Sequence, residues 1–135
     1  MKAPLWIVPA LIVACTAAAA GGARLFAAPS VTREFATAAQ GTVSRRVVFV
    51  VSGVRCVDTA EGAARQFAEV PGVLSFAAYA SRGRVEVTYD AASTDVPALI
   101  EAIEGPVYDE ATQEFRFGVY AVREVDGEKV DQRSR

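Results

Sequence analysis

The chain contains no histidine. That absence removes Ser-His-Asp and Cys-His catalysis and every imidazole-based zinc or copper site. Cysteine is scarce: the 135 residues hold two, Cys15 and Cys56. The count alone excludes a disulfide-stapled scaffold. One cysteine stands in an apolar leader and the other in a loop of the folded region, so a disulfide between them is not expected. An excess of basic charge is missing as well. With 14 basic and 16 acidic residues the net charge is −2, which provides no basic face for nucleic acid. A metal would have to be held by thiolate, carboxylate, phenol or backbone oxygen. Nothing in this inventory supports enzymatic activity.

What is present begins with an apolar leader. Residues 3–22 carry no charge, Lys2 precedes them and Arg24 follows. A run of about 20 apolar residues is long enough to cross a bilayer as a helix. The positive-inside rule would then leave the amino terminus in the cytoplasm. Pro4, Pro9 and the Ala-rich second half suit a signal peptide, with Ala18-Ala19-Ala20 as a small-residue cleavage site. Ile12-Val13-Ala14-Cys15 also resembles the lipobox of bacterial lipoproteins, which would make Cys15 the acylated residue. Residues 1–22 are therefore expected to be a signal peptide or transmembrane anchor. In each case the domain is exported: membrane-anchored facing the periplasm or cell exterior, or secreted to that side. Residues 23–46, rich in Ala, Gly, Ser and Thr, read as a flexible linker, with a short helix open to residues 31–39.

Periodicity then becomes regular. Residues 47–51 are a β-branched and aromatic strand, apolar on both faces. Gly53 breaks it. Asp58 and Glu61 have capping-box spacing, and Val57, Ala60, Ala64, Phe67 and Ala68 recur at helical spacing until Pro71-Gly72. Residues 73–79 form a second strand, Ser81-Arg82-Gly83 a tight reversal and residues 85–89 a third strand. Thr94 is placed to cap a second helix with Pro97 in its first turn. Its stripe is Val96, Leu99, Ile100 and Ile103. Phe115, Phe117, Val119 and Ala121 alternate as a fourth strand, and Asp126-Gly127 offers a terminal turn. The order β-α-β-β-α-β predicts an α+β, ferredoxin-like sandwich over residues 47–124, followed by a polar tail at 125–135. The segment 105–114 is long for a connection in that pattern.

Cys56 is the candidate site. It lies between the first strand and the first helix, where a thiol can be exposed and the helix amino terminus favours its ionisation. Arg55 beside it could do the same. Tyr108, Asp109 and Glu110 could approach and add oxygen ligands.

Gly53-Val54-Arg55-Cys56-Val57-Asp58-Thr59 resembles the GMxCxxC loop of heavy-metal-associated domains, the modules of metallochaperones, metal-ATPase amino termini and periplasmic mercury-binding proteins. Val70-Pro71-Gly72-Val73, Val85-Glu86-Val87-Thr88-Tyr89-Asp90, residues 99–104 and Gly105-Pro106-Val107-Tyr108 resemble the family's later elements. The loop departs from the family at two positions: Val54 stands for Met and Thr59 for the second Cys. The resemblance implies binding or delivery of a soft ion such as Cu(I), Hg(II) or Zn(II). Only Cys56 carries over as a ligand, because a neutral hydroxyl suits a soft ion poorly. One thiolate leaves the shell incomplete. A second copy in a homodimer, a metal-transport partner or a small thiol would have to finish it. The alternative is a ferredoxin-like protein-interaction module that has lost its CxxC site. The leader would make the membrane a further partner.

Overall fold

The computed structural model describes residues 7–25, 28–36 and 41–131. Its elements are α1 (Ile7–Leu25), β1 (Val31–Glu34), β2 (Ser44–Ser52), α2 (Val57–Ala68), β3 (Val73–Tyr79), β4 (Arg84–Asp90), α3 (Val96–Glu104), β5 (Val107–Asp109), β6 (Glu114–Arg116), β7 (Ala121–Val125) and β8 (Glu128–Lys129). The β2-α2-β3-β4-α3-β7 series is the ferredoxin-like βαββαβ unit. Its strands lie in the order β3-β4-β2-β7 within a six-stranded sheet that adds β1 and β8 at the edges. All pairings are antiparallel.

The sheet forms as its alternation dictates. Val47, Phe49 and Val51 of β2, and Val85, Val87 and Tyr89 of β4, turn inward and are buried. They meet Ala60, Ala63, Ala64 and Phe67 of α2 and Leu99, Ile100 and Ile103 of α3. Phe67 lies at the centre, with ring centroids 6.5 Å from Phe49 and 5.7 Å from Phe76. Burying a side chain of this size contributes about 3 kcal/mol. Between β3 and β4 a short 3-10 turn, Ala80–Arg82, ends at Gly83 in the left-handed region, as expected. Arg84 pairs with Glu86 and lies over the Tyr79 ring.

Five expectations are corrected. The expected linker contains a strand rather than a short helix: Val31–Glu34 pairs with β3 from Val31↔Ala78 to Glu34↔Ser75. Val31 is buried there, and the pairing covers the edge of β3 that would otherwise stand open. Residues 37–40 of that segment lie outside the described residues.

The fourth sandwich strand is not 115–121. Gly118, at φ +68°, breaks the run. Phe115 pairs with Tyr108 in a separate β5–β6 hairpin, and inward alternation resumes at Tyr120 and Val122. The long 105–114 segment is the first part of this hairpin.

The polar tail starts as structure. Asp126 and Gly127, at φ +49° and +87°, turn β7 into β8. Asp126 fixes that turn: its N–H donates to the Val48 carbonyl at 2.7 Å, and its Oδ1 accepts the Val48 N–H at 2.8 Å. Residues 132–135 lie outside the described residues.

Two caps also differ. Asp95, not Thr94, caps α3, its Oδ1 accepting the Ala98 N–H at 3.0 Å. The box at the start of α2 is built from Cys56 and Thr59 rather than Asp58 and Glu61. Of the leader, residues 1–6 are not described and α1 begins at Ile7. Among the described residues no helix is long and apolar enough to cross a membrane.

Candidate metal centre

Cys56 occupies the N-cap of α2, with extended backbone at φ −144° and ψ 177°. Its side chain is exposed. The sequence places it there by two neighbours. Gly53 leaves β2 at φ +105°, and a Cβ at that position would stand 2.2 Å from the Val119 carbonyl oxygen. Only glycine lets the loop turn against the 119–120 segment. Val54, the residue in the Met position, is buried under the loop and anchors it in the core.

Thr59 organises the loop through its hydroxyl. Oγ1 accepts the Arg55 N–H at 2.8 Å and the Cys56 N–H at 3.0 Å. Two donors occupy its two lone pairs, so what remains to the hydroxyl is its single proton. That proton faces the Cys56 carbonyl at 3.0 Å and the Cys56 Sγ at 3.4 Å. A sulfur in that position is best served as an acceptor, which is the thiolate form. The Thr59 hydroxyl accordingly holds the Cys56 thiol below its ordinary range. The Thr59 and Asp58 N–H groups act in the same direction, while slight desolvation and the Asp58 carboxylate oppose them. Arg55 is exposed and acts on the loop through its backbone.

Tyr120 was not singled out by the sequence reading. It is buried, and its hydroxyl donates to the Thr59 carbonyl at 2.7 Å. Gly62 makes room for it: a Cβ there would lie 2.4 Å from the phenol oxygen. Burial pushes the Tyr120 phenol up, the Cys56 charge adds to this, and Arg65 opposes it. The available signal was the spacing Tyr120-x-Val122, which continues the inward alternation past Gly118.

The other candidates are elsewhere. Tyr108 packs edge-on against Phe115 at 5.3 Å, and Asp109 pairs with Arg116 at 3.4 Å, both within the hairpin. A cleft of about 500 Å³ separates the hairpin from α2, bordered by Arg65, Glu69, Tyr108 and Phe115, and Cys56 is not part of its wall. Among the described residues no cluster of three or more Cys, Asp or Glu side chains could hold a metal ion.

The family model of the heavy-metal-associated domain matches residues 48–109. The match spans 62 of the 135 residues. The matched span of this domain ends at Asp109, within β5, where the hairpin begins. A solved structure, oxidized MerP from Ralstonia metallidurans CH34, aligns over 61% of this chain and 100% of its own length at 21% identity, with a TM-score of 0.44. No curated protein matches the chain.

Proposed function

We propose that this domain handles a soft metal ion as cargo, bound by the Cys56 thiolate and shared with a thiolate from a second molecule. The family match supports a metal-handling role in general. The observation that supports Cys56 in particular is the Thr59 hydroxyl, saturated as an acceptor, with its one proton set between the Cys56 carbonyl and the exposed Cys56 sulfur. This arrangement favours the ionised form that a soft ion requires. Thr59 is spent on the loop and adds nothing to the metal shell. Cu(I) and Hg(II) both accept near-linear pairs of thiolates, so one outside sulfur completes the site. That sulfur comes from a second copy, a metal-transport protein or a small thiol. The role is non-enzymatic, and the apolar leader is proposed to place the domain outside the cytoplasmic membrane.

The test is a Cu(I) competition titration against a chromophoric chelator, in a Cys15→Ser background so that one thiol is read. Binding that strengthens when a thiol ligand is added, and disappears in Cys56→Ser, supports the proposal. Binding that survives Cys56→Ser, or fails to appear at all, overturns it and leaves the protein-interaction reading.

A further inference from the structure

The β5–β6 hairpin is absent from the six-stranded sheet and forms a two-stranded sheet of its own. A lone two-stranded hairpin is marginal in water, and this one exposes what such arms usually hide. Tyr108, Phe115 and Phe117 are 51%, 62% and 79% exposed within one short arm. Single exposed aromatics are ordinary, whereas a contiguous group marks an interaction surface. The outer edge of β6 has no strand partner among the described residues.

We propose that β6 pairs with β6 of a second copy, antiparallel, about a two-fold axis through Phe115. Charge complementarity selects this pairing. β6 reads Glu114-Phe115-Arg116. In that register Glu114 of each copy faces Arg116 of the other, and Phe115 faces Phe115. A shift of the axis to Arg116 would set arginine against arginine. A shift to Glu114 would set glutamate against glutamate. Like charges directly opposite destabilise a pair of strands, so one register is selected. Arg116 reaches Asp109 of its own chain at only 3.4 Å and stays 68% exposed, so this weak surface pair leaves the guanidinium able to reach Glu114 across the axis. The product is a four-stranded β5-β6-β6-β5 sheet with Tyr108 and Phe115 of both copies on one face. It is an isologous contact, in which one patch serves both partners. It does not require Cys56 or metal.

Sedimentation equilibrium of the full chain, in metal-free reducing buffer, tests this. The unmodified chain is expected to dimerise at micromolar concentration. Glu114→Arg and Arg116→Glu should each weaken the dimer by about tenfold or more, since two attractive pairs become repulsive. The combined Glu114→Arg, Arg116→Glu chain restores opposite charges in the same register and should recover the original affinity, which a merely misfolded arm would not do. A chain that stays monomeric to about 100 µM, a dimer indifferent to both single changes, or a double change without recovery each overturns the proposal.

Discussion

At the scale of residues, one hydroxyl governs the candidate site. Thr59 binds two backbone N–H groups and directs its proton toward Cys56. Alkylation of Cys56 by iodoacetamide, in a Cys15→Ser chain, should therefore follow a titration midpoint below that of an ordinary thiol. Thr59→Val keeps the shape and removes the hydroxyl, so the midpoint should rise towards the ordinary value. An unchanged midpoint would remove Thr59 from the account. The sign of the linkage follows. The folded thiol ionises more readily than the unfolded one, so its stabilising contribution is complete above the unfolded pKa and is lost as pH falls through the folded pKa. Thr59→Cys tests the missing ligand. A second thiolate tethered in the same loop should tighten Cu(I) binding by roughly 10²–10⁴, measured against the same chelator. Cys56 was legible in the sequence because glycine, cysteine and the helix start lie within a few residues. The role of Thr59 was not, because a threonine at that spacing reads only as a lost ligand until its hydrogen bonds are seen.

At the scale of elements, the loop between β2 and α2 is held by the 119–120 segment that leads into β7. Gly53→Ala must carry a Cβ at φ +105° and place it 2.2 Å from the Val119 carbonyl oxygen. Backbone strain alone costs about 1–3 kcal/mol, and urea denaturation should show a loss at least this large. Tyr120→Phe removes the bond to the Thr59 carbonyl and should cost about 1 kcal/mol in the same assay. If Tyr120→Phe proves neutral, the phenol is not a strut for the loop. Helices α2 and α3 and strand β4 were readable because each buries one face and so shows a clean period, and β2 because its β-branched and aromatic run ends at Gly53. The fourth sandwich strand was misplaced because Phe115 and Phe117 alternate as a buried strand would, yet stand in solvent. Periodicity records which residues could share a face and does not say what covers that face.

At the scale of the molecule, Phe67 joins α2 to the sheet through Phe49 and Phe76. Phe67→Ala should cost about 3–5 kcal/mol. That is a large part of the stability of an ordinary small domain, and a shift of the urea midpoint to much lower concentration checks it. A milder loss would mean that the core can collapse into the vacated space.

The sequence by itself determined the βαββαβ order, the apolar faces that meet in the core and the placing of one thiol at the mouth of the first helix. These depend on neighbours in the chain, whose spacing is fixed by covalent geometry. The tertiary structure decided which strand covers the edge of β3, where β7 begins, and that Tyr120 reaches the Thr59 carbonyl across 61 residues. Such contacts arise between segments remote in the chain, and they form only where an open edge or an unfilled space is left by the elements that fold around them.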